Sequence, residues 1–213
     1  GPPGRAGADV SELRLRLASE ADAEAICRIY NQGIEDRLAT LETELRTTEE
    51  RRSWLASRGL RHPVIVAESI GAGTVGAGTA SPARTVGGLL QAVPGSVPAT
   101  TVCASAGPIP TIIAWGSLNV FNPREAYRFV ADFSVYVERA WRGQGVGSLL
   151  LERLIDLARQ HGFHKMVLSA FPSNTSGVAL YEKFGFRAVG IYHEQGLLDG
   201  AWVDTLVMEK LLL

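Results

Sequence analysis

Apolar and polar positions along this chain follow two periods, two residues and about 3.6 residues, in alternation. The stretch "ELRLRL" sets Leu13, Leu15 and Leu17 at every second position, which predicts a strand. "SEAD" at Ser19–Asp22 then has capping-box spacing, and Ile26, Ile29, Tyr30 and Ile34 follow on one helical stripe. A second box, Thr47 to Glu50, opens a short helix that Gly59 is expected to end. "PVIVAES" and "TIIAWGSL" read as two strands, and "YRFVADFSVYVE" as a third. Val146, Leu149, Leu150, Leu154, Leu157 and Ala158 make an amphipathic helix closed by Gly162. "KMVLSAF" predicts a buried strand, "NTSGVALYEKF" a helix stopped by Gly185, and strands near 187–193 and 202–210 finish the chain. The pattern alternates α and β, with no internal repeat.

One segment breaks the pattern. Ser69 to Pro110 is rich in Gly, Ala, Ser, Thr and Pro, with Arg84 its only charge. A connection between two hairpin strands normally has about two to five residues. The segment therefore reads as an insertion 69–110 inside one domain of residues 11–213, with 1–10 as an N-terminal tail. Its composition fits a low-complexity loop. Its low charge is unusual for disorder, which leaves an extended hairpin or a subunit contact open.

Composition narrows the function classes. The chain has 213 residues, 46% of them hydrophobic, enough for one sizeable core. A net charge of −1 without a Lys/Arg cluster argues against nucleic acid as a partner. No apolar run approaches the roughly 18 residues of a membrane helix, and "GPPGRAGADV" lacks the apolar core of a signal peptide. Cys27 and Cys103 are far apart without metal-ligand spacing, so free thiols in a cytoplasmic enzyme are the expectation. No residue constellation suggests a metal.

The chemistry concentrates in "VYVERAWRGQGVG". Gly143, Gly145 and Gly147 stand at alternate positions between a strand and a helix, although glycine weakens a helix start by up to about 1 kcal/mol. Free N–H groups at a helix start, with the helix dipole, attract anions, and bare glycine backbone lets phosphate oxygens come close. A phosphate-binding loop would end in Gly-Lys-Ser/Thr, which is absent. The dinucleotide pattern G-x-G-x-x-G would need glycine where Ser148 stands. Arg142-x-x-Gly145-x-Gly147 remains, either a plain tight turn or a pyrophosphate cradle, and the strand–turn–helix context favours the cradle.

These residues resemble the GNAT superfamily of N-acetyltransferases. "RGQGVG" after "SVYVE" is similar to that superfamily's coenzyme A pyrophosphate motif, and "NTSGVALYEKFGF" to its second coenzyme-binding segment. The resemblance spans roughly residues 13–212 apart from the insertion. "IYNQGIEDRLATLETELRT", "AYRFVADFSVYV" and "GLLDGAWVDTLVMEK" resemble the subfamily that acetylates phosphinothricin, methionine sulfoximine and arsinothricin. The fold it implies is α/β (α+β): a mixed, mostly antiparallel, splayed sheet with helices on both faces. The implied reaction moves acetyl from acetyl-coenzyme A to the primary amine of a small amino acid or amino-acid-like antimetabolite. A homodimer and a part in antibiotic or herbicide resistance follow from the same likeness. A different acceptor (polyamine, aminoglycoside, protein N-terminus) and a non-catalytic acyl-coenzyme A sensor are the rival readings.

By this resemblance the backbone of Val135, Tyr136 and Val137 pairs with the pantetheine arm. Arg142, Gly143, Gln144, Gly145, Val146, Gly147 and Ser148 hold the pyrophosphate. Asn174, with Ser176 beside it, binds a pantetheine carbonyl or merely caps its helix. Tyr181 lies two helical turns past Asn174 on nearly the same face. It is positioned to protonate a departing thiolate, where the subfamily often has His; as a bland alternative it is a core aromatic. Asp132 occupies the place of the subfamily's glutamate and is the candidate general base, or else only an exposed strand carboxylate. Arg128 and Arg124 are candidates to clamp a substrate carboxylate, and Trp202 and Asp204 to line the acceptor pocket. His193 and Glu194 lie nearby, with a structural role the expectation for the histidine. Phe133 and Leu198 also depart from the subfamily.

Overall fold

In the computed structural model, which describes residues 13–37, 40–70 and 110–213, seven strands form one sheet in the order β1-β2-β3-β4-β5-β7-β6. These are β1 (Leu13–Leu17), β2 (Val64–Ser69), β3 (Thr111–Val120), β4 (Val130–Val137), β5 (Lys165–Ala170), β6 (Arg187–Leu198) and β7 (Ala201–Leu211). The helices are α1 (Ala23–Glu35), α2 (Thr48–Ala56), α3 (Val146–Gln160) and α4 (Thr175–Lys183). All neighbouring strands run antiparallel except β4 and β5.

Strand alternation sends side chains to two layers. Val64, Val66, Trp115 and Tyr136 meet Ile26, Ile29, Tyr30 and Ile34 of α1 on one face. Ile65, Ala67, Leu118, Phe133 and Val135 meet Leu150, Leu151, Leu154 and Ile155 of α3 on the other, joined by Val178, Leu180 and Tyr181 of α4. Trp115 is 1% exposed and packs its ring against Tyr30, Trp54 and Tyr136 at centroid distances of 6.0, 5.6 and 4.9 Å. Truncating a buried aromatic of this kind costs about 3–5 kcal/mol, so Trp115→Ala would remove much of the net stability of one domain.

Several boundaries differ from the sequence reading. β4 starts at Val130 rather than Tyr127, because Glu125–Tyr127 form a short 3-10 turn and Arg128 is still helical (φ −58°, ψ −17°). The alternation of Tyr127 and Phe129 continues the strand's period without its backbone. The helix opened by Thr47 stops at Ala56, before Gly59. The Ser57 N–H turns back to Ser53 O at 3.0 Å, and its hydroxyl donates to Trp54 O at 2.8 Å. In α3, Leu151 and Ile155 are buried while Leu149 is only partly so. β6 and β7 are longer than expected because Asp199-Gly200 turns them tightly, with φ of +51° and +81°. Most of the insertion, 71–109, including Cys103, lies outside the described residues, as do 1–12. Cys27 is a buried free thiol.

Candidate active site

The sheet opens between its two parallel strands. β4 and β5 pair only at Val130–Lys165, Ala131–Met166 and Asp132–Val167. Beyond that point β5 stays with β7 as far as Ala170, and β4 stays with β3 as far as Val137. The edge of β4 that faces β5 therefore has no partner strand from Phe133 onward, although Phe133 N–H donates to the Asp132 side chain and Val137 O accepts from Arg142 Nε. Backbone N–H and C=O groups without a partner strand require water or a ligand. An extended chain laid along Val135–Val137 would satisfy them as an added strand.

Past β4, the chain turns through residues 143–145 into α3. Gly143 and Gly145 sit at φ +73° and +87°, the left-handed region, where nothing lies within 4 Å of an added Cβ. Their requirement is conformational. At Gly147 an added Cβ would lie 3.4 Å from Leu180 Cδ2 and 3.9 Å from Val137 Cγ2, ordinary contact distances, so packing alone does not demand glycine there. The first α3 bond runs from Leu149 N–H to Gly145 O at 3.2 Å. The N–H groups of Val146, Gly147 and Ser148 precede it and have no acceptor inside the helix.

Open edge and glycine turn line one groove of about 380 Å³ with Trp141, Asn174, Ser176, Gly177, Leu180 and Tyr181. Of the thirteen residues expected to hold the coenzyme, all but Gln144 and Val146 line it. Val146 is 1% exposed and belongs to the core, and the Gln144 amide folds back on Ala140 O at 2.8 Å. For these two, only the backbone is available to a ligand. The Arg142 side chain is also engaged elsewhere: it pairs with Asp36, and its Nε donates to Val137 O at 3.1 Å. Asn174 caps α4, its Oδ1 accepting the Gly177 N–H at 3.1 Å and the Ser176 hydroxyl at 3.3 Å. Gly177 permits this fold, because a Cβ there would come within 2.6 Å of Asn174 Nδ2.

The two candidate catalytic groups flank the place where the strands part. Asp132 is the last β4 residue paired to β5, half-buried and bonded only to its own neighbour's N–H, Phe133, at 2.5 Å. Burial raises its pKa to about 6, so it is not the exposed strand carboxylate of the bland alternative. Tyr181 packs edge-on against Phe133 and Phe186, with centroids 5.9 and 6.1 Å away. Burial first, then the charge on Asp132, raise the Tyr181 pKa and keep its proton on. An acid that ionises near neutrality thus stands close enough for its charge to act on a phenol that stays protonated, although only Tyr181 of the two lines the groove.

The candidates for acceptor binding are not brought together in that way. Trp202 and Asp204 line a second cavity with Arg37, Phe171, Pro172, Ser173, Leu198 and Val203. It abuts the groove through the segment that runs from Ser173 into Asn174. Trp202 is 62% exposed and forms an aromatic wall. Asp204 is committed locally, taking the Glu194 N–H at 2.8 Å and meeting His193 Nδ1 at 3.2 Å. It thereby holds the irregularity in β6, where Glu194 has φ +50°, and His193 takes the structural role expected of it. Arg124 and Arg128 line neither cavity. Both are in the exposed β3–β4 connection, where Arg128 pairs with Glu125 at 2.9 Å and lies over the Phe129 ring.

Sequence reasoning missed Gly33, Trp141, Gly177 and Leu180 in the groove, and in the second cavity Arg37, Phe171, Pro172, Ser173 and Val203. Arg37 ties the end of α1 to the β6–β7 turn by two bonds to Asp199, at 2.9 and 3.0 Å. Only the "LDG" turn motif hinted at this meeting. Among the described residues, no group of three His, Cys, Asp or Glu is placed to hold a metal ion, and no helix is long and apolar enough to cross a membrane.

Comparison with known proteins agrees with this geometry. Residues 95–186 match the model of the Acetyltransferase (GNAT) family. YwnH of Bacillus subtilis (strain 168), provisionally named a phosphinothricin acetyltransferase, is 28% identical over 198 residues, covering 93% of this chain and 98% of its own. An L-methionine sulfoximine/L-methionine sulfone acetyltransferase of Salmonella typhimurium is 28% identical, over 92% of this chain and 93% of its own. The GNAT superfamily phosphinothricin acetyltransferase of Sinorhizobium meliloti, solved with acetyl-CoA, superposes with a TM-score of 0.70 at 25% identity, covering 94% of this chain and 88% of that one. This chain is an acetyltransferase that carries a GNAT domain.

Proposed function

We propose that the enzyme transfers acetyl from acetyl-CoA to the primary amine of a small amino acid, or an amino-acid-like antimetabolite of the phosphinothricin kind. The observation that carries this reading is the edge of β4 left without a β5 partner past Asp132, which runs along the groove lined by Tyr181 to the glycine turn at the start of α3. The groove suits a long, thin donor with an anionic far end. Backbone groups of Val135–Val137 pair with its arm, and the N–H groups of residues 143–148 meet its pyrophosphate. Acetyl-CoA supplies the acetyl group as a thioester. Free amines have pKa values of roughly 8 to 10 and attack only when neutral. Asp132, ionised above about pH 6, takes a proton from the amine, directly or through one water. As the new C–N bond forms and the C–S bond breaks, Tyr181 gives its proton to the departing sulfur. The adjoining cavity, with the Trp202 wall and the Arg37–Asp199 ion pair beside it, suits a compact zwitterion.

The names of the relatives support an amino-acid acceptor. Val189, Ile191, Tyr192 and Leu197 are exposed on β6, an edge strand, and support a homodimer. The buried free thiol of Cys27 is compatible with work in the cytoplasm, where such an activity would confer resistance to the antimetabolite. Residues 71–109 are taken as an insertion within the same domain. A panel of acceptors assayed by acetyl-CoA-dependent thiol release tests the proposal. Turnover of phosphinothricin-like or methionine sulfoximine-like amino acids is expected. Turnover confined to polyamines, aminoglycosides or peptides would overturn the acceptor class, and coenzyme binding with no turnover at all would make the protein a sensor.

A further inference from the structure

One stripe of α1 grips the chain just beyond β4. Arg28 Nη1 bonds Glu138 at 2.5 Å, and Gln32 Oε1 accepts the Arg139 N–H at 2.9 Å. One turn on, Glu35 meets Arg139 Nη2 at 3.2 Å, and Asp36 receives Arg139 at 2.7 and 3.0 Å. Asp36 also receives Arg142 Nη1. Positions 28, 32 and 35–36 share one helix face, so α1 holds residues 138–142 rung by rung. Gly143–Ser148 follow directly.

Asp36 is badly placed for its own helix. It caps the C-terminal end of α1, where the dipole disfavours an anion, and the last turn of α1 carries no basic residue. Its partners are both across the gap. The Arg139 and Arg142 guanidiniums hold its carboxyl far down, at about 2. Arg142, meanwhile, donates its Nε to Val137 O, the last carbonyl of β4. One arginine therefore joins the end of α1, the end of β4 and the glycine turn.

We infer that Asp36 is a positioning residue for the pyrophosphate cradle. It fixes Arg142, and through it the N–H groups of Gly143–Ser148, without touching the coenzyme. This rests on the acetyl-CoA reading given above. Asp36 reaches its partners across more than a hundred residues of sequence, so the coenzyme motif "RGQGVG" does not encode it.

The test compares two donors. S-acetylpantetheine carries the same thioester as acetyl-CoA and lacks the pyrophosphate. Asp36→Asn is expected to weaken acetyl-CoA affinity in calorimetry about tenfold while leaving kcat/KM for S-acetylpantetheine within about twofold. Arg142→Gln should weaken acetyl-CoA affinity at least as much, and the double variant should be no worse than the worse single one. Asp36→Glu should recover part of the affinity. Asp199→Asn breaks the ion pair of the neighbouring Arg37 and should leave acetyl-CoA affinity unchanged. An unchanged affinity in Asp36→Asn, or equal losses with both donors, would overturn the positioning role. If Asp36→Asn does not fold, Asp36→Ser decides by the same two criteria. Wild-type protein that binds no acetyl-CoA would instead sink the coenzyme reading, and this inference with it.

Discussion

The groove along β4 and the cavity under β6 and β7 are neighbours built on different plans. In the groove, backbone does the work: a strand edge without a partner strand, two left-handed glycines and a helix start that leaves N–H groups free. In the cavity, side chains dominate, and several are already committed: Asp204 to Glu194 and His193, and Arg37 to Asp199. A backbone site recognises what every donor of its kind shares, an extended arm and an anionic end. A side-chain site changes with each substitution. The contrast accounts for donor chemistry that is written in short motifs and acceptor choice that is not.

The place where β4 and β5 part should give the largest effects. Asp132→Asn is expected to lower kcat by about 10²-fold or more, the usual scale for losing a general base. For the wild type, kcat/KM should rise with pH through about 6 as the carboxylate ionises, and the variant should lack that limb. The same residue makes a stability forecast of opposite sign. Its folded pKa lies above the ordinary aspartate value, so the fold loses stability as pH rises from about 4 through about 6. Asp132→Asn should therefore melt higher than the wild type at pH 8 and show no such gain at pH 4. A variant that is less stable at pH 8 would contradict the burial argument.

On the groove side, Gly145→Val forces a β-branched side chain into φ +87° at the mouth of the cradle. About a hundredfold loss of acetyl-CoA affinity is expected, measured by calorimetry on protein with an unchanged circular dichroism spectrum. Tyr181→Phe keeps the packing on Phe133 and Phe186 and removes only the proton donor. It should cost about tenfold in kcat with little change in acetyl-CoA affinity. An equal rise in Kd would make Tyr181 a packing residue.

On the acceptor side the effects shrink. Trp202→Ala should raise the acceptor KM by about tenfold, and Arg128→Ala by no more than about threefold, because the Arg128 guanidinium is exposed and paired with Glu125. The reverse order would place the substrate carboxylate at the β3–β4 connection. The smallest effect is expected outside the described residues: replacing 71–109 by a short turn should leave acetyl-CoA affinity within about twofold.

The same contrast explains what could be read from the sequence. The glycine turn and the α4 cap lie in contiguous stretches whose chemistry is local, and they were legible. The opening of the sheet was not, since β4 and β5 have ordinary strand patterns and nothing in either marks where pairing stops at Asp132 and Val167. Tyr127 and Phe129 carried the β4 alternation past its true start, because period alone cannot see the helical backbone of Arg128. The pairs Asp36–Arg142 and Arg37–Asp199 join residues 106 and 162 positions apart. No pattern within a window reports such meetings, so the contact behind the glycine turn and the one beside the acceptor cavity became visible only in three dimensions.

The most direct test of the divided cleft is a crystal structure with acetyl-CoA bound. The expected result has the pantetheine arm paired with the backbone of Val135–Val137, the pyrophosphate over Gly143–Ser148, and the thioester between Asp132 and Tyr181. Coenzyme bound elsewhere, or β4 and β5 zipped together past Asp132, would contradict the account.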